Sequence, residues 1–320
     1  MPPYNSASHL TGDVLLSVWE HSGLPEKQLW KKRYSGELTY NAFHGRIWRA
    51  KHGIVSRPEL FQHDLGEPLH LNGDWMIIGD AQLPTTDYDF AILPAVIAEY
   101  HLSRPRQLLI VGDLINADAF SKYEDEIGTP TFRQEIKAAK QLISEWRTVF
   151  DRVIWLAGNH ERRVSGKTSA ALLMADLAMI IDTSVETSDY DRAVIHTPTG
   201  DWLAAHGSNY SVNQLSVLDW LVWKYRMNVI GHHQHHCAKG WDRFKHNVVV
   251  DNGGLFNQWH MSYVQMNTSK SPNMMQGFTM LRGGYPYVFS REPFTNWADW
   301  LPESQLRKVN RKSARNKKAS

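Results

Sequence analysis

Val153-Ile154-Trp155-Leu156-Ala157-Gly158-Asn159-His160-Glu161 is a short apolar run that closes on a glycine and three polar residues. Apolar runs of this length, bounded by a turn residue, form buried strands. Open α/β sheets keep their sites at the carboxyl ends of such strands, so Asn159, His160 and Glu161 stand where ligands are held. Alone, the four residues from Gly158 fit an ordinary turn as well. Four more runs repeat the form. Upstream, Met76-Ile77-Ile78 leads into Gly79-Asp80, and Leu108-Leu109-Ile110-Val111 leads into Gly112-Asp113. Downstream, Trp202-Leu203-Ala204-Ala205 ends on His206-Gly207, and Asn228-Val229-Ile230-Gly231 ends on His232. Each closes on a residue able to bind a cation, which points to one shared pocket.

Taken in order, Asp80-Ala81-Gln82, Gly112-Asp113-Leu114-Ile115-Asn116, Gly158-Asn159-His160-Glu161, His206-Gly207 and Gly231-His232-His233-Gln234 resemble the calcineurin-like metallophosphoesterases. That family's pattern is D-x-H, GD-x-x-D/N, GNH-D/E, a His often followed by Gly, and GH-x-H. The resemblance implies an α/β fold, a two-sheet sandwich flanked by helices. It also implies two divalent metal ions sharing the carboxylate of Asp113. Asn159, His206 and His232 would complete the second ion's shell, and Asp80, Gln82 and Gln234 would surround the first. His160 resembles the family's general acid on the leaving oxygen. On the residues alone, Asp80 and Asp113 also read as helix caps, and His206 as a structural histidine.

The first and last blocks depart from the pattern, with Gln82 and Gln234 where the family has histidine. Glutamine offers a carbonyl oxygen in place of an imidazole nitrogen, and oxygen ligands suit Mn²⁺ or Mg²⁺. A weakly bound Mn²⁺ or Mg²⁺ is therefore expected in the first position. A neighbouring histidine stepping in through a shifted loop, or a site holding a single ion, are the alternatives. His235 is nearest, but in an extended segment His232 and Gln234 share one side while His233 and His235 face the other. His233, His235, His236 and Cys237 crowd this loop without a partner cluster, which argues against a separate zinc site.

A charged fraction of 21% and a hydrophobic fraction of 42% are those of a soluble globular chain. No apolar run is long enough to span a bilayer, and the start lacks a basic-then-apolar signal. The single cysteine, Cys237, excludes an internal disulfide and suits a cytoplasmic location. Net charge is only +2, so affinity for nucleic acid must come from local clusters. Thirteen tryptophans are expected mostly in the core.

Val14, Leu15, Val18 and Trp19 recur at helix spacing before Ser22-Gly23, and Pro25 opens a second short helix. Thr39 is placed to cap a third, with Phe43, Ile47 and Ala50 on one face and Arg46, Arg49 and Lys51 elsewhere. Residues 1–56 thus outline a helix-turn-helix-like module whose last helix would contact DNA through Arg46, Arg49 and Lys51. A helical cap with solvated charges fits equally well. Residues 57–71 read as a linker and 72–298 as the phosphoesterase domain. Residues 299–320 read as a basic, disordered tail, because seven of the twelve residues from Arg307 to Lys318 are Lys or Arg.

Within the domain, strands alternating with helices at Tyr88–His101 and Ile136–Phe150 predict right-handed βαβ units and a parallel start to the sheet. A third helix, Ser169–Ile181, is apolar nearly all round and is expected to be buried. Short strands follow, with one helix from Val212 to Tyr225 and a hairpin at Gly283-Gly284. The function expected is divalent-metal-dependent phosphoester hydrolysis by a metal-activated water, on DNA or nucleotides. The alternatives are a small-molecule phosphatase and a DNA-binding regulator carrying a degenerate phosphoesterase fold.

Overall fold

The computed structural model describes residues 12–36, 38–52, 67–121, 130–260, 274–291 and 295–306. The chain divides into two compact units, residues 1–66 and 67–320.

The first unit holds helices α1 (Gly12–Ser22), α2 (Glu26–Leu29, continued by π-helical turns at Trp30–Tyr34) and α3 (Tyr40–Lys51). The Thr39 hydroxyl accepts the Ala42 N–H at 3.3 Å, which starts α3 at the expected residue. Leu15, Leu29, Tyr34, Phe43 and Ile47 form a small core. Arg49 and Lys51 are exposed and Arg46 is half-buried. The Lys51 ammonium also sits 4.6 Å from the ring of Trp19.

The second unit is built on two six-stranded sheets. Its strands in chain order are β1 (Leu69–Asn72), β2 (Trp75–Ile78), β3 (Gln107–Val111), β4 (Arg152–Leu156), β5 (Glu186–Ser188) and β6 (Arg192–His196). There follow β7 (Trp202–His206), β8 (Asn228–His232), β9 (Ala238–Trp241), β10 (Val248–Asp251), β11 (Gly277–Arg282) and β12 (Tyr285–Ser290). One sheet runs β12-β11-β2-β3-β4-β5, with β2 to β5 parallel, as the alternating pattern predicts. The other runs β1-β6-β7-β8-β10-β9. The hairpin at Gly283-Gly284 joins β11 to β12.

Strand periodicity divides the core. Trp75, Ile77, Leu109, Val111, Ile154 and Leu156 face across to Ile195, Trp202, Ala204, Ile230 and Val250 of the second sheet. Their sequence neighbours Met76, Ile78, Leu108, Ile110, Val153 and Trp155 face outward. There they meet α4 (Tyr88–Ala91), α5 (Leu93–His101), α6 (Phe132–Arg147) and α8 (Met174–Ile181), with α7 (Asn159–Lys167) preceding α8. On the far face of the second sheet, α9 (Ser216–Tyr225) buries Leu218 and Val222 against Leu203, Val229 and Val249. The result is a helix–sheet–sheet–helix sandwich.

Several boundaries differ from those expected. Tyr88–His101 is two helices meeting at Ile92, because Pro94 cannot donate to a continuous ladder. The helix placed at Ser169 begins only at Met174, and Met179 and Ile180 are exposed, so it is not apolar-packed all round. Leu69–Leu71, inside the stretch read as linker, pairs with β6 as strand β1. Leu301, inside the stretch read as tail, is buried, and the described part of the unit runs on to Leu306. Arg307–Lys318 and most of the linker lie outside the described residues. Five of the tryptophans (Trp48, Trp220, Trp223, Trp241 and Trp259) are exposed, so that residue type is shared between core and surface.

Candidate metal centre

Five strands from two sheets end at one place. Asp80 and Asp113 follow β2 and β3, Asn159 follows β4, and His206 and His232 are the last residues of β7 and β8. His206 and His232 are paired in the parallel register of those strands, so their rings start side by side. The His206 Nε2 lies 3.4 Å from Asp80 Oδ1 and 3.3 Å from Asp113 Oδ2. The His232 Nδ1 lies 3.3 Å from Asp80 Oδ2. His160, in the first turn of α7, brings its Nε2 to 3.4 Å from Asp113 Oδ2. Both carboxylates are fully buried.

The local sequence explains how the approach is possible. A Cβ on Gly112, whose φ is +74°, would lie 2.6 Å from the Gly158 Cα and 2.7 Å from the His206 ring. Only a glycine fits that crossing of loops. A Cβ on Gly158 would run into the Asp113 carboxylate and backbone nitrogen. Glu161, the fourth residue of the central block, accepts N–H groups from Asp113, Leu114 and Gly158, each at 2.9 Å. It clamps the β3 loop to the β4 loop. Burial, and next the charge of Asp113, push its carboxyl up to about 7. Asp80, Gln82 and Asp113 all adopt left-handed backbone, with φ of 48°, 47° and 51°. Such conformations at non-glycine residues persist where surrounding contacts over-determine them, and they cluster at functional sites.

The charges are arranged as ligands are. Burial alone would raise the Asp80 carboxyl, yet the imidazoles of His235, His206 and His232 hold it well below its ordinary value. His206 is driven well above its ordinary value by Asp113 and Asp80 against the opposing effect of burial. Asp113 Oδ2, Asn159 Oδ1 and both polar atoms of Gln234 are buried without a hydrogen-bond partner. Orphaned buried oxygens are uncommon and need an explanation. A divalent cation would satisfy Asp113 Oδ2 and Asn159 Oδ1, so these donors fit the metal the family pattern implies. Asp113, His206 and His233 offer ligand atoms all within 4.8 Å of one another, a span one ion bridges.

Asp80, Asp113, His206 and His232 are thus brought together, and Asn159 and His160 stand at the same loops. Gln82 and Gln234 are buried at 4% and 1% exposure. Gln82 donates its backbone N–H to the Asp113 carbonyl at 2.9 Å. Arg162 is spent on Asp191, at 3.6 Å, whereas Arg163 turns inward and places Nη2 3.0 Å from His160 Nε2. Arg46, Arg49 and Lys51 belong to the other compact unit.

The expectation for His235 is overturned. Its Nε2 lies 3.0 Å from Asp80 Oδ1, inside the cluster and not on the opposite side. The alternation argument needs extended backbone, but His233, His235 and Cys237 have φ of 85°, 63° and 48°. His233 likewise joins the cluster, and its N–H donates to Asp80 Oδ2 at 2.9 Å. The run of four histidines in five residues was the available signal. What the residues did not reveal was the turn.

The sequence pattern of the calcineurin-like phosphoesterases matches residues 73–290. Similar solved structures include a hypothetical protein from Pyrococcus horikoshii OT3, 10% identical, covering 74% of this chain and 94% of that one with a TM-score of 0.40. Vps29 from Chaetomium thermophilum is 11% identical over 68% of this chain and 96% of its own, at a TM-score of 0.36. Vps29 of Entamoeba histolytica, solved in complex with zinc, is 12% identical over 69% and 94%, at 0.38. No curated protein matches the chain.

Proposed function

Because the chain belongs to the calcineurin-like phosphoesterase family, we propose that it is a divalent-metal-dependent hydrolase of phosphoesters in DNA or nucleotides. The observation that carries the hydrolase reading is the meeting of Asp80, Asp113, His206 and His232 in one buried cluster beside the unpartnered Asn159 Oδ1. Divalent ions bound there supply Lewis-acid charge and lower the pKa of water at neutral pH.

The chain's own residues divide the remaining work. Asp113 accepts the His160 N–H through Oδ1 at 2.9 Å, which leaves Oδ2 turned to the cluster. His160 Nδ1 meets the Asn116 carbonyl at 2.7 Å. A carbonyl can only accept, so Nδ1 carries a hydrogen and Nε2 is the nitrogen whose proton is exchanged. Nε2 faces Asp113 and Arg163, the place a leaving oxygen must reach to be protonated. Burial, and the nearby Arg163 guanidinium, lower the His160 pKa against the raising effect of Asp113. Arg163 is placed to receive a substrate phosphate oxygen, since its guanidinium points to His160 and not to a surface acid.

The nucleic-acid part rests on the three-helix unit, whose α3 exposes Arg49 and Lys51, and on the basic run Arg307–Lys318. Both suit a phosphate backbone. The ions expected are two, with Mn²⁺ or Mg²⁺ favoured. The test is hydrolysis of bis(p-nitrophenyl) phosphate with Mn²⁺ by the wild-type chain and by Asp113→Ala. Turnover that Asp113→Ala abolishes supports the reading. No turnover of diester or monoester would leave a regulator with a degenerate site, and monoester turnover alone a small-molecule phosphatase.

A further inference from the structure

We propose that His235 is a direct metal ligand of this centre, its Nε2 taking the place of the imidazole that the family pattern puts at position 234. The inference rests on the reading of the cluster as a metal site and concerns which side chains of this chain complete it.

Asp80 is the hub. Its Oδ2 faces the His232 Nδ1 at 3.3 Å and the His233 N–H at 2.9 Å. Its Oδ1 faces the His206 Nε2 at 3.4 Å and the His235 Nε2 at 3.0 Å. Three imidazole nitrogens therefore surround one buried carboxylate, and that of His235 approaches it most closely. His235 is 6% exposed, and its Nδ1 has no hydrogen-bond partner. The ring is fixed by the edge of Phe256, with centroids 4.7 Å apart and planes at 73°. A desolvated imidazole with its Nε2 beside a carboxylate and its ring wedged by an aromatic is held in one orientation.

The backbone is bent to achieve this. Left-handed φ at His233 and His235 flanks Gln234 and breaks the alternation of an extended chain, so His232 and His235 both reach Asp80. Such backbone is unfavourable for a residue other than glycine and persists only where its surroundings enforce it. The turn is pinned on both sides of Gln234, by His233 N–H on Asp80 and by the Met275 N–H on the His235 carbonyl at 2.6 Å. Gln234 is buried with neither amide atom paired, so the position the pattern assigns to the ligand is the one left unsatisfied. The strain and the burial have a common account if the loop has shifted one imidazole along the chain. A nitrogen donor at this position favours Mn²⁺ and later metals over Mg²⁺.

The test is ion content of the full chain, stripped with chelator and equilibrated with Mn²⁺, Mg²⁺ or Co²⁺, for wild type, His235→Ala, His235→Gln and His233→Ala. Circular dichroism checks folding, and His235→Gln keeps the side chain's bulk if alanine leaves an unfolded protein. Wild type is expected to bind two ions. Both His235 variants are expected to bind one of them more than about tenfold more weakly, with a changed Co²⁺ visible spectrum and a reduced preference for Mn²⁺ over Mg²⁺. Wild-type affinity for both ions in the His235 variants, or loss of an ion from His233→Ala alone, would overturn the proposal and leave the hydrolase reading standing. A wild-type chain that takes up no divalent ion would instead overturn that reading itself.

Discussion

Glutamine at His160 keeps the bulk of the ring but removes the nitrogen that exchanges a proton. The expected outcome for His160→Gln is a kcat about 10²–10⁴-fold lower, measured with bis(p-nitrophenyl) phosphate, while Mn²⁺ content stays at the wild-type level. A parallel loss of ions would mean that His160 binds and does not act on the leaving oxygen. At this scale most of the site is legible in the sequence, because each ligand sits one or two residues past an apolar run: Asp80 after Ile78, Asp113 after Val111, His206 and His232 at the strand ends themselves. His235 is the exception. Histidine is among the residues enriched in left-handed backbone, but the run His232-His233-Gln234-His235 carries no glycine to fix where a turn falls, and here it is imposed by contacts from distant loops.

Gly158 carries the crossing of the β3 and β4 loops, so Gly158→Ala sets a methyl group against Asp113 and its backbone nitrogen. Neither neighbour is the free end of a flexible side chain. The variant is expected to lose on the order of 1–3 kcal/mol of stability in urea denaturation, together with part of its metal content. On α6, Glu135 accepts the N–H groups of Ala117 and Asp118 at 2.7 and 3.1 Å and is pushed up to about 7 by burial. A raised folded pKa means the fold binds the proton better than the unfolded chain. Its contribution is therefore complete below about 4.5 and is lost as pH rises through about 7. Stability measured from pH 5 to 8 should fall by on the order of 3 kcal/mol from this group, and Glu135→Gln should flatten that part of the slope. An unchanged slope would show that Glu135 titrates normally. The long amphipathic and fully apolar elements were legible, as with α6 and β2 to β4. The ones missed, β1, β5 and β9, are strands of three or four residues with polar members such as Glu186-Thr187-Ser188. Their strand state comes from a neighbour's ladder and not from their own pattern. Helix α7 was hidden for the same reason, since Val164 is its only buried apolar residue.

The two compact units make separable claims about the molecule. Removing residues 1–56 leaves the second unit's three hydrophobic clusters intact, so hydrolysis of a small diester should persist. Duplex DNA binding that weakens steeply with salt should disappear with those residues if Arg46, Arg49 and Lys51 supply the phosphate contacts. Binding that survives the deletion would assign it to the second unit. The helical start was legible from helix-spaced apolar residues and a capping threonine, and the two-sheet architecture through the resemblance that the ordered ligand blocks carry. The direct measure of the whole account is the number of Mn²⁺ ions retained per chain after equilibrium dialysis, compared between wild type and Asp113→Asn. Two ions in the wild type, with the variant retaining at most one weakly held ion, is the result expected of a carboxylate shared between them. Equal retention by the two proteins would contradict it.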